Sequence, residues 1–217
     1  MFPELTRDDV FRIETKRLWL RWARMTDTAD ILYVMGEKQV AEMTATWTHP
    51  LDEHEINRRI FEMRKFNALG NGLQLVMALK SDPDAIIGLV GGTFTGQTFD
   101  IGYALHPEFQ GFGYATEAVQ ALMDAVFTLS DASRAHAIVR GSSERAHRVL
   151  IKSGFEFSSV SNRYSLTRRE WNAIKDWSEP MVEPLLIDVG IDALEEENMI
   201  EACVLMNSQV RGVEVRI

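Results

Sequence analysis

In the stretch PEFQGFGYATEA, residues 107–118, Gly111 and Gly113 stand one residue apart, directly ahead of a run with helical periodicity. Glycine adopts backbone conformations closed to other residues and lets the main chain approach a ligand closely. The first turn of a helix exposes N–H groups that have no intrahelical partner. Together these features point to an anion cradle, with phosphate the most common occupant. Three phosphate loops compete for the assignment. A nucleotide P-loop needs Gly-Lys-Ser/Thr, and no lysine follows Gly113. A dinucleotide fingerprint needs a third glycine where Thr116 stands, and it follows a parallel strand, whereas the strands here read as antiparallel. The third pattern is Gln/Arg-x-x-Gly-x-Gly/Ala at a strand–loop–helix junction, and Gln110, Gly113 and Ala115 meet it.

The surrounding elements fit such a junction. RLWLRW, 17–22, alternates Leu18, Leu20 and Trp22 against polar neighbours and predicts a strand. Two helices follow, one over about Asp27 to Gly36 and one opening at Asp52, with Glu55 three residues on, and running to about Ala68. The segments 73–80, 86–94 and 99–106, separated by SDPDA and TGQ, predict a three-stranded antiparallel meander. After the glycine loop, Ala115, Ala118, Val119, Leu122 and Val126 form a helical apolar stripe that should pack on the sheet. A strand over 135–140 comes next, then a helix over 143–153 ending at Gly154, and then a strand pair in FEFSSV and RYSL. Thr167 and Glu170 offer a capping box for a last helix.

The 217 residues, 46% hydrophobic and 25% charged, suit one large globular domain or one domain with an extension. No apolar run approaches the roughly 18–20 residues of a membrane span, and the N-terminal residues lack a signal-peptide core, so a cytoplasmic location is expected. The single cysteine, Cys203, excludes an internal disulfide framework and gives no zinc or redox pattern, and no metal is expected. The net charge of −9 is uneven. Residues 170–217 hold 11 acids against Lys175, Arg211 and Arg216, while 134–169 hold eight bases against Glu144 and Glu156. A basic middle after the glycine loop suits an anionic ligand or is simply solvated surface, and the acidic total argues against nucleic-acid binding.

With these elements in order, the chain resembles the GNAT superfamily of acetyl-CoA-dependent N-acetyltransferases, and within it the RimJ/RimL-like branch. IETKRLWLRW, IIGLVGG, DIGYALHPEFQGFGYATEAV, RVLIKSGF and YSLTRREW carry the resemblance, which covers about residues 12–177. Residues 1–11 then form a lead, and 178–217 an acidic but apolar-rich extension. The resemblance implies an α+β fold, in which a mostly antiparallel sheet flanked by helices splays apart between the strands DIGYALH and AHAIV. Acetyl-CoA would lie in that gap, its pyrophosphate on the N–H groups of Gly111, Phe112, Gly113, Tyr114, Ala115 and Thr116, with Gln110 beside them. Backbone donors near Tyr103, Ala104 and Leu105 would polarise the thioester carbonyl. Arg148 or Lys152 would reach the 3′-phosphate. Ser143 would face the cofactor, and Trp47 would wall the acceptor site.

The sequence departs from the family at the later helix. An Asn-x-x-Ala/Ser pair is often found there, with a tyrosine four residues before the Gly-Phe. Ser143, Ala146 and Leu150 occupy those positions, so Ser143 alone remains as a donor to the departing thiolate, and a helix N-cap is its other reading. A thiol of pKa near 8.5 leaves tolerably without an acid. The nucleophile is the harder half. An α-amine of pKa about 7.8 is partly neutral at pH 7, whereas a lysine-type amine needs roughly 4–5 kcal/mol to deprotonate. The candidate bases are Asp100, acting through water, His106 and Glu108; His136 and His147 read as packed or solvent-facing. The expected activity is acetyl transfer to a primary amine, from a protein N-terminus or a small molecule. An acyl-CoA-binding sensor without turnover stays open as a second class. The extension combines MVEPLLIDVGI with ALEEENMIEACVLM, and it is expected to support a homodimer.

Overall fold

A computed structural model describes residues 2, 10–42, 44, 47, 50–139 and 143–175, without the side chains of residues 39 and 42. All of these fall within one compact unit; the expected extension, 178–217, lies outside the described residues.

Strands β1 (Arg12–Glu14) and β2 (Leu18–Arg21) form a hairpin with Glu14 opposite Trp19. The sequence had shown only its second arm, because three residues are too few to display alternation. Helices α1 (Thr28–Gly36), α2 (Lys38–Glu42) and α3 (Glu53–Ala68) lead to the meander β3 (Gly72–Leu79), β4 (Asp82–Thr95) and β5 (Thr98–Leu105). Asp52 caps α3 by accepting from the N–H of Glu55. The Glu55 side chain does not complete the box but pairs with Arg58 and Arg59. Helix α4 (Tyr114–Leu129) carries the chain to β6 (Arg134–Ala137), and α5 (Glu144–Lys152), β7 (Glu156–Ser158), β8 (Arg163–Thr167) and α6 (Arg168–Ile174) follow. Both halves of the Thr167–Glu170 capping box are present. The strands form one sheet in the order β1-β2-β3-β4-β5-β6-β8-β7, and β5–β6 is its one parallel pair.

Successive residues of β3 serve opposite faces. Leu75 and Met77 join the cluster that holds Ala118, Val119, Leu122 and Val126 of α4, whereas Val76 and Ala78 join Ile31, Val34, Ile56 and Ile60 of α1 and α3. A strand buried on both sides reads as a continuous apolar run, and LVMAL, 75–79, is one. The predicted α4 stripe is buried in full. Each large member contributes about 1.5–3 kcal/mol by leaving water, so the stripe fixes α4 and the loop before it on the sheet.

Strand β5 pairs with β4 along its whole length, Thr98↔Thr95 to Leu105↔Gly88. Its pairing with β6 covers only Thr98↔Arg134 to Ile101↔Ala137. The sheet therefore forks after Ile101, and Gly102–Leu105 have a strand on one side only. The expected strand over 135–140 ends at Ala137, where its pairings with β5 and with β8 both stop.

Candidate active site

The fork, the glycine loop and the start of α5 meet at one end of the sheet. The N–H of His106 donates to Ile87 O at 3.0 Å, which sets the phase of the β4–β5 ladder. In an antiparallel ladder alternate residues bond the same neighbour, so Ala104 directs its backbone groups to β4 while Tyr103 and Leu105 direct theirs into the gap. Of the three residues expected to polarise a thioester, two present an N–H there and Ala104 does not.

Gly111 and Gly113 have φ of 91° and 87°, the left-handed region that side-chain-bearing residues rarely adopt. Gly113 is the N-cap of α4, and Glu117 is the first residue of the run whose N–H finds a backbone acceptor, Gly113 O at 3.0 Å. Among the described residues, the six N–H groups from Gly111 to Thr116 have no acceptor. A row of free donors at the positive end of a 16-residue helix is a seat for an anion such as pyrophosphate.

Arg17, in the β1–β2 turn, holds this loop in place. Its Nε donates to Glu117 Oε2 at 2.7 Å, its backbone N–H to Glu117 Oε1 at 2.7 Å, and its Nη1 to the Phe112 carbonyl at 2.9 Å. The guanidinium lies 4.4 Å from the centre of the Tyr114 ring, and Thr15 Oγ1 donates to Glu117 at 2.6 Å. Burial alone would raise the Glu117 carboxyl, but the hydrogen bonds from Thr15 and Arg17 outweigh it and hold the group below its ordinary value. Nothing in the sequence singled out Arg17 or Glu117.

Three hydrogen bonds link β5, the loop and α5 around the gap. The Tyr103 hydroxyl donates to Ala146 O in the first turn of α5 at 3.0 Å. Burial, with Tyr164 nearby, pushes its phenol well above the usual value, so it stays protonated. Gln110 Nε2 donates to Leu105 O at 2.9 Å, and Gln110 Oε1 accepts from Arg145 at 2.7 Å, which ties β5, the loop and α5 together. Ser143 Oγ accepts from the N–H of Ala146 at 3.3 Å and caps α5, leaving its own proton free to donate. Arg148 and Lys152 lie exposed one turn apart on α5, with Glu144 3.5 Å from Arg148.

Asp100 lies one residue before the fork on the opposite face from α4, since its neighbours Phe99 and Ile101 belong to the α4 core. It accepts from Thr95 Oγ1 at 3.0 Å, and its other oxygen is 3.9 Å from Nδ1 of His136, its partner in register. His106 is buried, stacks on Tyr33 at 4.1 Å and accepts from the N–H of Glu108, while Glu108 accepts from the Tyr33 hydroxyl. His147 bonds Tyr164. Trp47 lies between α2 and α3, packed on the same core cluster as Ala104, with the Arg59 guanidinium 4.5 Å from its ring centre. Among the described residues no group of three or more His, Cys, Asp or Glu side chains is placed to hold a metal, and no helix is long and apolar enough to cross a membrane.

The forked sheet and the left-handed glycine loop thus set a gap and an anion seat side by side. The family profile described as "Acetyltransferase (GNAT) domain" matches residues 17–156, and the chain belongs to this family of acetyltransferases. It is 28% identical over 159 residues to "Uncharacterized N-acetyltransferase YoaA" of Bacillus subtilis (strain 168), which spans 70% of this chain and 86% of that protein. Its fold is similar to that of Mycobacterium smegmatis RimJ, solved in complex with CoA-disulfide, with a TM-score of 0.65 at 20% identity over 78% of this chain and 91% of that one. It is also similar to a ribosomal-protein-S5-alanine acetyltransferase from Vibrio fischeri, with a TM-score of 0.63 at 19% identity over 74% and 98% of the two chains.

Proposed function

We propose that this enzyme transfers the acetyl group of acetyl-CoA to a primary amine by direct attack within a ternary complex. The observation that carries this reading is the fork at Ile101 opening beside six unbonded N–H groups. The loop from Gly111 to Thr116 holds pyrophosphate by charge-assisted hydrogen bonds, and Arg148 or Lys152 meets the 3′-phosphate. The N–H groups of Tyr103 and Leu105 border the gap where the acyl oxygen gathers charge. Ser143, the cap of α5, faces the cofactor and is the candidate donor to the departing sulfur, which can also leave as a thiolate without it.

The acceptor reaches the fork from the face that carries Asp100, with Trp47 further out as a wall. The names of structurally similar proteins, a ribosomal-protein-S5-alanine acetyltransferase among them, make a protein N-terminus the acceptor to test first, followed by small amines. The enzyme acts in the cytoplasm as a homodimer, which light scattering on the full chain tests. The activity itself is tested by offering acetyl-CoA with a panel of N-terminal peptides, amino acids, amino-sugars and polyamines and following free thiol. Thiol release with an acetylated amine product supports the reading. CoA binding without release under any acceptor rejects it in favour of a sensor.

A further inference from the structure

His136 is placed for chemistry that its neighbours in sequence do not suggest. Its flanking residues Ala135 and Ala137 are buried in the α4 core, so the imidazole projects to the opposite face, the one that carries Asp100. One residue further on, β6 parts from β5. Asp100, His136, Ser165 and Glu156 occupy one register row across β5, β6, β8 and β7, at strand spacings of about 4.8 Å. The second core, under α1–α3, reaches Ala104 of β5 but includes no residue of β6, β7 or β8, and along this row the Asp100 side chain is 47% exposed against 19% for His136.

Asp100 is held from behind by Thr95 and turns its second oxygen to His136 Nδ1 at 3.9 Å. Among the described residues neither ring nitrogen of His136 makes a hydrogen bond, although the side chain is four-fifths buried. An imidazole whose ring nitrogens are unbonded but not sealed from the surface, with a carboxylate beside one of them, can exchange a proton with a ligand at the other. The charged groups facing it are Asp100 on β5, Arg134 on its own strand and Arg163 on β8, with Glu156 of β7 at the end of the row. Burial is the largest influence and lowers its pKa; Arg163 and Arg134 lower it too, and Asp100 opposes them. It is therefore neutral, and able to accept, at pH 7.

We propose that His136 is the group that takes the proton from the acceptor amine, with Asp100 as the positioning residue whose carboxylate faces its Nδ1. The proposal rests on the acetyl-transfer reading above. The ammonium R–NH3+ gives one proton to the free imidazole nitrogen. The lone pair so exposed forms the N–C bond at the thioester carbonyl. The C–S bond breaks with its electron pair on sulfur, a second amine proton ends on that sulfur, and His136 returns its proton to water.

The test joins NMR titration of the imidazole in the free full-length protein with pH–rate profiles of kcat/KM for the best amine of the panel. The wild type should lose activity on an acid limb that coincides with the His136 titration, below the ordinary value of 6.5. Asp100→Asn should move both limb and titration to lower pH, and Arg163→Gln should move both to higher pH. His136→Gln should abolish the limb and cut kcat/KM at pH 7 by about 100-fold or more, the scale of a lost general base, with CoA affinity and thermal midpoint retained. A variant at position 136 that keeps the limb and most of the activity overturns the proposal, as does a limb that ignores the NMR shifts. Wild-type turnover in those cases leaves the acetyltransferase reading intact, whereas a wild type that releases no thiol with any amine removes both.

Discussion

Replacing Arg17 tests whether the cofactor loop is held ready by the β1–β2 turn. Arg17→Ala removes three things: the Nε bond to Glu117, the tether to the Phe112 carbonyl and the cation–π contact with Tyr114. The Arg17 side chain is 39% exposed against 16% for Glu117, so the ion pair is discounted to about 1 kcal/mol for solvent screening. The carbonyl tether adds about 1 kcal/mol and the ring contact about 0.5 kcal/mol. A loss of about 2.5 kcal/mol lowers the thermal midpoint of a domain of this size by about 5–10 °C. The tether and ring contact, about 1.5 kcal/mol together, order the loop itself; without them that ordering falls on the binding step, and CoA should bind about tenfold more weakly. Arg17→Lys keeps the charge, but one ammonium cannot span Glu117 and Phe112, so it should lie between. The pH dependence is also fixed in sign. With Glu117 held below its ordinary value near 4.5, its stabilisation is complete above that value and is lost as pH falls through the lower folded value. Calorimetry with CoA beside thermal melts decides the matter. A lowered midpoint with CoA affinity within twofold of wild type refutes loop pre-ordering, and no change in either refutes the clamp.

Three further outcomes are expected. Gly113→Val forces a β-branched residue to a φ of 87°, costing about 1–3 kcal/mol and weakening CoA in calorimetry, whereas Gly113→Asn, which tolerates that region, should retain most binding. Gly102→Val places a side chain where nothing lies within 4 Å, at the fork on the face that carries Asp100, from which the acceptor is proposed to enter. Thermal stability and CoA affinity should hold while kcat/KM for the amine falls more than about tenfold, read by steady-state kinetics, as expected when a pocket is filled. Ser143→Ala should cost about 1 kcal/mol as a lost helix cap and lower turnover less than about tenfold, because a thiolate leaves without a dedicated acid; a far larger loss with CoA affinity retained would give Ser143 the acid's role.

The parts of this molecule legible in its sequence are those set by near neighbours along the chain. The α4 stripe, the Asp52 and Thr167 caps and the meander turns each arise from residues a few positions apart, and all appear in the structure. The glycine loop was legible because left-handed backbone restricts residue choice wherever it occurs. Arg17 and Glu117 were not, since each reads as a solvated charge until the fold brings together residues 100 apart. His136 looked inert for the same reason: the groups that give it a role, Asp100 and Arg163, come from other strands. The end of β6 was misplaced because a strand stops where its partners leave, and no local pattern records that departure.

The four residue pairs from Thr98↔Arg134 to Ile101↔Ala137 are the whole of the ladder joining the N-terminal five strands to the last three. Each strand before this joint meets its neighbour through an antiparallel pairing, β4 and β5 across a two-residue turn, whereas β5 must wait for the full α4 crossover before it can find β6. Closing so long a connection for so few bonds makes the joint the seam of the folding reaction, expensive in chain entropy and late to form. The gap proposed to hold the acyl carrier opens where this seam ends. A molecule filling it acts as mortar between two blocks, and at one hundred times its dissociation constant it adds about 2.7 kcal/mol to their union. In the cell, the supply of acyl carrier would then govern how long each copy of this enzyme survives as well as how fast it works.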